Sequence, residues 1–222
     1  MTIKVVLIGD SSVGKTAIFQ RLEGDIFVED HVPTVGGGFT KYQIKPESDD
    51  SVKSGKIYEL GIWDTAGQER FRNVIPMYFQ RASFILIIYD VTSPDSFEHV
   101  TEWADMARDK APSNAIIYLI GNKIDLTEKR VIGFEQAQEL GERIGAAFVC
   151  ETSAKSGFGI DVFINDIATK IADQNKIGTD DGDFIVVNQD AVEKIVEIDM
   201  TNNNQNYGND ISGTNRLSMC NC

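Results

Sequence analysis

Short apolar runs alternate along the chain with stretches that place apolar residues at helical spacing. Five runs are rich in β-branched and aromatic residues and predict strands, namely IKVVLIG, YELGIWD, FILIIYD, AIIYLIGN and AAFVCE. Between them, the spacing predicts helices over Lys15 to Glu23, roughly Ser93 to Ala111, Gly133 to Ile144 and Asp161 to Asp173. The alternation predicts an α/β fold in which helices cover both faces of a mostly parallel sheet.

One further predicted strand breaks the alternation. FTKYQI is followed by a charged loop, Pro46 to Lys56, that is too short for a crossover helix before the strand KIYELGIW. The two segments are therefore expected to form a hairpin, which adds one antiparallel strand at an edge of the sheet. The predicted sheet has six strands in all.

The composition changes at about Lys176. The 222 residues are 42% hydrophobic, which suits one sizeable core followed by a tail. We therefore predict a single domain over residues 1–175 and a flexible, acidic, Asn-rich tail over residues 176–222. Within that tail, the segment FIVVNQDAVEKIVEI is the stretch with enough apolar content for a short ordered element.

Charge and cysteine content exclude several classes of protein. A net charge of -13 argues against a nucleic-acid binder, because neutralising phosphates requires clustered Lys and Arg. Of three cysteines only Cys150 is internal, so no disulfide framework is expected and a reducing compartment is favoured. The first residues lack the pattern of a signal peptide, and no apolar run reaches ~18 residues, so neither secretion nor membrane spanning is expected.

The strongest chemical signal is GDSSVGKT, from Gly9 to Thr16, which directly follows a predicted strand and precedes a predicted helix. This context fits the phosphate-binding loop G-x-x-x-x-G-K-[ST], whose backbone N–H groups and following helix N-terminus bind a phosphate chain. Lys15 is expected to contact the β- and γ-phosphates. The nucleotide-binding residues predicted here are Ser11, Ser12, Val13, Gly14, Lys15, Thr16 and Ala17.

Two more segments, together with Thr16, predict a metal ion and the γ-phosphate contacts. The hydroxyl of Thr16 is expected to bind Mg²⁺, and Asp64 in WDTAGQE stands where a carboxylate of that metal site belongs. Gly67 offers a backbone N–H beside the γ-phosphate. Thr34, in the segment FVEDHVPTVGGGF, adds a second hydroxyl to the metal from a loop that can close over the nucleotide.

Two segments predict that the base is guanine. GNKID places Asn122, Lys123 and Asp125 at the carboxyl end of a predicted strand, where open α/β sheets bind ligands. The Asp125 carboxylate can accept hydrogen bonds from both N1–H and the exocyclic amine of guanine, a pair of donors that adenine lacks. TSAK follows the next strand and can present backbone N–H groups to guanine O6 through Ser153, Ala154 and Lys155.

Taken in order, these segments resemble the Ras superfamily of small GTPases over roughly Ile3 to Asp173, and WDTAGQERF, LIIYDVT and the Cys-x-Cys pair resemble its Rab family. The resemblance implies a GTP-hydrolysing switch that recruits effectors in vesicle and membrane trafficking. It also implies that Phe27 lies against the guanine, that Thr34 senses the γ-phosphate and that Gln68 orients the attacking water. Lys15 and Gln68 are the catalytic residues it implies.

The same resemblance implies partners and a membrane. These are an exchange factor, a GTPase-activating protein, a GDP-dissociation inhibitor or prenylation escort protein, and effectors. Cys220 and Cys222 are expected to carry lipid, which holds the chain at the cytoplasmic face of an intracellular membrane and leaves a cytosolic pool. Two alternatives stay open: a nucleotide-binding scaffold with little or no GTP turnover, and a P-loop kinase or ATPase.

The chain departs from the Rab pattern after the switch threonine. Rab proteins usually continue with Ile-Gly-Val-Asp or Glu-Phe, whereas this chain has Val35 and three glycines before Phe39. Because glycine loses more backbone entropy than other residues when it is ordered, we expect a looser switch and an unusual set of effectors.

Four other residues have simpler interpretations. His31 and His99 are expected in solvated or loop positions, since no Cys or carboxylate spacing around them suggests zinc. Cys150 is expected in the core, and Trp63 is expected to pack against other aromatic residues.

Overall fold

The computed structural model describes residues 2–24, 27, 37–45, 57–66 and 74–176. The strands in these residues are β1 (Thr2–Ile8), β2 (Gly38–Ile44), β3 (Tyr58–Asp64), β4 (Phe84–Asp90), β5 (Ile116–Asn122) and β6 (Phe148–Glu151). The α-helices are α1 (Lys15–Glu23), α2 (Ile75–Tyr78), α3 (Pro94–Glu98), α4 (Val100–Lys110), α5 (Phe134–Arg143) and α6 (Ile160–Lys176). A short 3₁₀ helix spans Thr127–Lys129.

The strands form one six-stranded sheet in the order β2-β3-β1-β4-β5-β6. β2 and β3 pair antiparallel, with Gly38 opposite Asp64 and Ile44 opposite Tyr58, while the other neighbouring strands pair parallel. The predicted antiparallel edge strand is therefore confirmed. The loop predicted between Pro46 and Lys56 lies outside the described residues.

Both faces of the central strands are buried, as expected for a parallel sheet covered by helices. Val5 and Leu7 of β1 belong to a core cluster that includes apolar residues of α1 and α6. Val6 and Ile8 alternate with them and are equally buried, so they point to the opposite face, where α4 and α5 lie against β4 to β6. The predicted α/β layering is confirmed.

The helices differ from the predicted ones in three places. The stretch from Ser93 to Ala111 forms two helices rather than one, and His99 alone lies between them with helical backbone angles. The final helix extends to Lys176 instead of ending at Asp173. α2 was not predicted, because four residues are too few to show a helical period.

Two single-residue interpretations are confirmed by packing. Cys150 is buried in β6, and burial raises the pKa of its thiol to about 12, so this cysteine behaves as a core residue. The Trp63 ring lies 4.7 Å from the Phe39 ring and 6.1 Å from the Tyr78 ring, centroid to centroid.

Among the described helices, none combines the length and the apolar character that crossing a membrane requires.

Candidate functional site

The predicted site residues on β1, β3, β5, β6 and the described loops that follow them converge at the carboxyl ends of the parallel strands. β1 leads into the loop before α1, β3 ends on Asp64, β5 ends on Asn122, and β6 leads into Thr152 to Lys155. Because β1, β3, β4, β5 and β6 run in the same direction, these ends meet at one edge of the sheet. GDSSVGKT, GNKID, TSAK and the described part of WDTAGQE are thereby brought to one place.

The loop between β1 and α1 is shaped by a glycine that no other residue can replace without a clash. Gly14 has a φ of 98° and forms the N-terminal cap of α1. A Cβ atom at this position would lie 2.2 Å from Nδ2 of Asn122. The glycine thus allows the loop to contact Asn122 at the end of β5, and it leaves the N-terminus of α1 facing the site.

Lys15 is almost fully buried, with 5% of its surface exposed. Its Nζ donates to the carbonyl oxygen of Gly9 at 3.0 Å and to that of Asp10 at 2.6 Å. Burial lowers the pKa of Lys15 to about 8, although the negative charges of Asp64 and Asp10 favour its charged form. The ammonium group therefore lies on the buried side of the loop, where it contacts two of the loop's carbonyl oxygens.

Thr16 and Asp64 place two side-chain oxygen atoms close together beside Lys15. The Thr16 hydroxyl donates to Oδ2 of Asp64 at 2.7 Å, and Oδ1 of Asp64 has no hydrogen-bond partner among the described residues although it is buried. Burial raises the pKa of Asp64 to about 6, partly offset by the Thr16 hydroxyl and the Lys15 charge. A hydroxyl and a carboxylate with a free buried oxygen are hard ligands that fit Mg²⁺.

Asn122 holds the loops of the site together through both ends of its amide. Its Nδ2 donates to the carbonyl of Val13 at 2.9 Å. Its Oδ1 accepts from the backbone N–H of Ala154 at 3.1 Å and from the Thr152 hydroxyl at 3.2 Å. One buried side chain therefore links the loop after β1, the end of β5 and the loop after β6.

The loops after β5 and β6 are also joined directly. The Ser153 hydroxyl donates to Oδ1 of Asp125 at 2.6 Å, and Ile124 N donates to the Thr152 carbonyl at 3.2 Å. Lys123 has a φ of 70°, which turns the chain between Asn122 and Asp125, and its Nζ forms an ion pair with Asp90 at 2.6 Å. Asp125 is thus oriented by a neighbour that was itself predicted in the site.

Arg21 is a residue of this region that the sequence analysis did not select. It lies on α1, and its Nε donates to the Ala154 carbonyl at 2.7 Å while Nη2 donates to the carbonyl of Lys155. The fork of the guanidinium group fixes two successive carbonyls of the loop after β6. No sequence signal identifies this contact, because the partners are more than 130 residues apart.

Asp10 and His99 form a second contact that the sequence analysis missed. Nδ1 of His99 lies 2.6 Å from Oδ2 of Asp10, and Nε1 of Trp103 donates to Oδ1 at 2.8 Å. His99 was expected to be solvated or in a loop, and its side chain is indeed 41% exposed. That expectation did not include its carboxylate partner in the phosphate-binding loop.

Two glycines after the switch threonine, Gly37 and Gly38, lie against other side chains of the fold. A Cβ atom on Gly37 would lie 2.5 Å from the Tyr78 hydroxyl and 2.9 Å from the Asp64 carbonyl. Gly38 already pairs with Asp64 as the first residue of β2. The absence of a side chain at Gly37 therefore permits the close approach of Tyr78.

The remaining predicted residues divide into three groups. Phe27 is half-buried and packs against the core cluster. Ser11, Ser12 and Lys155 are exposed around the described site. The residues that lie outside the described part are Thr34, Gly67, Gln68, Cys220 and Cys222, and His31 lies outside it as well.

Comparison with known proteins gives the family. Residues 4–173 match the Ras family. The chain is 41% identical over 158 residues to the Ras-related protein Rab-19 of Xenopus laevis, covering 71% of each chain. It is 42% identical over 158 residues to the Ras-related protein RABD2a of Arabidopsis thaliana, covering 71% of this chain and 74% of that protein. Human Rab-19 is 40% identical over 162 residues, covering 72% of this chain and 71% of its own. The chain therefore belongs to the Ras family and is a Rab-like small GTPase, a guanine-nucleotide switch that hydrolyses GTP and acts in membrane trafficking.

Proposed function

We propose that this GTPase binds its nucleotide across the two loop systems described above. The phosphates contact residues 11–17, and guanine lies between Phe27 and the residues Asn122, Lys123, Asp125, Ser153, Ala154 and Lys155. The observation that carries this proposal is the Asn122 side chain, which lies at the end of β5 and connects the phosphate-binding loop to the loop after β6. This link fixes the distance between the two loop systems, so that a single bound nucleotide can contact both.

Mg²⁺ is proposed at Thr16 and Asp64, with Thr34 as a further ligand when the switch closes. The buried Oδ1 of Asp64 supports this assignment, because a cation would satisfy an oxygen that otherwise remains without a partner among the described residues. When bound, Mg²⁺ neutralises charge on the β- and γ-phosphates.

For hydrolysis, we assign charge stabilisation to Lys15 and orientation of the attacking water to Gln68. Lys15 is buried and faces the carbonyls of its own loop, so it is already oriented before phosphate oxygens arrive. Thr34 and Gly67 would bind the γ-phosphate and order both switches. Slow intrinsic hydrolysis is expected, and a GTPase-activating protein would supply the arginine that this mechanism lacks.

The proposed membrane attachment uses lipid on Cys220 and Cys222. One lipid chain alone gives marginal and reversible binding, so stable attachment needs a second chain or a basic patch. The segment from Lys176 onward has three basic residues against eight acidic ones, which disfavours the basic patch. Two lipids at the cytoplasmic face, with a GDP-dissociation inhibitor or escort protein to maintain a cytosolic pool, supply the attachment instead.

The effector surface is proposed to differ from that of typical Rab proteins. Gly37 and Gly38 replace two side chains at the start of an edge strand, and Tyr78 occupies space that a larger residue at Gly37 would need. Effectors that bind this strand would therefore contact its backbone and the Tyr78 ring rather than those side chains.

The test of the nucleotide assignment is Asp125→Asn. An amide offers one acceptor and one donor in place of two acceptors, so GTP binding should weaken and xanthosine nucleotides, which carry an oxygen instead of the exocyclic amine, should be favoured. Affinities for GDP and xanthosine diphosphate are measured by fluorescence competition. Unchanged GDP affinity would refute the base-side assignment.

Membrane fractionation of cysteine variants tests the attachment. Cys220→Ser and Cys222→Ser should each shift the protein toward the soluble fraction, and the double variant should be released fully while retaining GTP hydrolysis. If the double variant stayed on membranes, the lipid assignment would be wrong.

A further inference from the structure

The carboxylate of Asp10 is held on both oxygens by side chains from the region of α3 and α4. Oδ2 lies 2.6 Å from Nδ1 of His99, and Oδ1 accepts from Nε1 of Trp103 at 2.8 Å. Because an ionised carboxylate only accepts hydrogen bonds, Nδ1 of His99 is the donor in the first contact. Asp10 lies inside the phosphate-binding loop, so this loop is tied to a part of the fold that none of the sequence motifs includes.

The backbone of the same residue contacts Lys15. The Asp10 carbonyl accepts from Nζ of Lys15 at 2.6 Å, the shorter of the two contacts that this ammonium group makes with the loop. A displacement of Asp10 would therefore move an acceptor that orients the proposed phosphate-binding lysine. Asp10 thus connects Lys15, which contacts its carbonyl, to His99 and Trp103, which contact its carboxylate.

The two donors are themselves fixed by the helices. Trp103 is buried, with 1% of its surface exposed, and its backbone N–H donates to the His99 carbonyl at 3.1 Å. His99 continues the helical backbone between α3 and α4, so the two side chains lie one helical turn apart on the same side. The Asp10 side chain is 19% exposed, which leaves its hydrogen bonds only partly in competition with water.

We propose that His99 and Trp103 are positioning residues for the phosphate-binding loop: they hold the Asp10 carboxylate and thereby fix the Asp10 carbonyl that orients Lys15. The inference rests on the proposed assignment of Lys15 to the nucleotide phosphates. Neither residue is assigned a contact with guanine, so their contribution is specific to the part of the ligand that Lys15 reaches. A merely structural role would affect all guanine ligands alike.

The test compares His99→Leu, Trp103→Phe and His99→Asn in full-length protein. Losing a hydrogen bond to a charged group should accelerate GDP release about tenfold in the first two variants. Affinity for GMP, which lacks the β-phosphate, should change less than about twofold, since the base side is intact. His99→Asn places an amide nitrogen at the position of Nδ1, so it should restore slow GDP release.

Three controls separate the possible outcomes. Gln138→Leu, at an exposed position of α5, adds the same surface leucine away from the site and should leave GDP release unchanged. In an Asp10→Ala background, His99→Leu should add no further acceleration, because the acceptor is already gone. Lys15→Ala tests the underlying assignment: unchanged GDP affinity in this variant would refute the proposed function itself.

If Lys15→Ala weakens GDP binding but His99→Leu leaves GDP release unchanged, the positioning role is wrong while the phosphate assignment stands. The positioning role would also be wrong if His99→Leu lowered the affinities for GDP and GMP by the same factor. It would be wrong as well if His99→Asn failed to restore slow GDP release.

Discussion

The base side and the phosphate side of the site lie at the same edge of the sheet, yet they satisfy their polar groups in different ways. On the base side, Asn122 and Ser153 make hydrogen bonds to uncharged backbone groups and to Asp125, which accepts the bond from Ser153. On the phosphate side, Lys15 and Asp64 are buried charges whose pKa values burial shifts toward their neutral forms.

The base side therefore stabilises the fold, whereas the phosphate side favours a charged ligand. Hydrogen bonds that close within the protein contribute to folding whether or not nucleotide is present. Buried charges cost desolvation energy, and this cost is offset when phosphates and a cation arrive. We therefore expect the largest losses of stability from changes to base-side hydrogen bonds that close within the protein, and the largest losses of affinity from changes to phosphate-side charges.

The largest expected effect is the loss of affinity in Lys15→Met. Removing the ammonium group deletes the proposed phosphate contact and leaves Asp64 without its positive neighbour, so GDP affinity should fall about a thousandfold, or ~4 kcal/mol. Isothermal titration measures the affinity. Lys110→Met, at an exposed position on α4, is the matched control and should have no effect. A loss below tenfold would contradict the distinction between the two regions.

Asn122→Ala tests the contribution of the base side to stability. It leaves Val13 O, Ala154 N and the Thr152 hydroxyl without their bonds to Asn122, and buried groups left unsatisfied cost ~1–3 kcal/mol each. We expect the free energy of unfolding of nucleotide-free protein to fall by about 3 kcal/mol in denaturant melts. Thr16→Val removes the hydroxyl that donates to Asp64 on the phosphate side and should cost about 1 kcal/mol. Equal losses of unfolding free energy in the two variants would contradict the proposed difference between the base side and the phosphate side.

The sequence predicts the elements of this site better than the contacts between them. The bounds of α1 match the prediction, because Gly14 and Gly24 flank a continuous helical period. The antiparallel pairing of β2 with β3 follows from a loop too short for a crossover. Both inferences depend on neighbouring residues, which is why a single sequence is enough to make them.

The contacts that were missed depend on residues far apart in the chain. Arg21 meets the loop after β6, and Asp10 meets His99, over separations of 133 and 89 residues. Local periodicity carries no information about such pairs. The break at His99 was missed for a related reason: its backbone angles are helical, so the sequence pattern runs through it without interruption.

A second buried lysine allows the desolvation cost to be measured away from the nucleotide. Lys4 is 2% exposed, its Nζ donates to the Gln80 carbonyl at 3.1 Å and lies 4.7 Å from the centre of the Trp63 ring. Burial, assisted by the charge of Arg81, lowers the pKa of Lys4 from 10.5 to about 8.

Between those two pKa values the unfolded chain binds more protons than the folded one, so Lys4 makes stability rise with pH. At ~1.4 kcal/mol per pKa unit, the rise from pH 8 to pH 10 should be about 2 kcal/mol. Subtracting the unfolding free energies of Lys4→Met from those of the unaltered protein at each pH isolates this contribution from tyrosine and cysteine titration. If this difference in unfolding free energy did not change with pH, burial of the Lys4 ammonium group would not be the cause of the rise in stability.

Arg21→Gln is expected to have a small effect, and one confined to the base side of the site. Loss of the guanidinium fork frees the Ala154 and Lys155 carbonyls, and because the bond to Lys155 is exposed to water, the net loss should be about 1 kcal/mol. Nucleotide release should accelerate about fivefold, by the same factor for GDP and GMP, because the loop after β6 is assigned to guanine and not to phosphate. Arg21→Lys keeps the charge but cannot span both carbonyls, so it should restore only part of the loss. Stopped-flow release of fluorescent nucleotides measures both ligands, and acceleration for GDP alone would place Arg21 with the phosphate side instead.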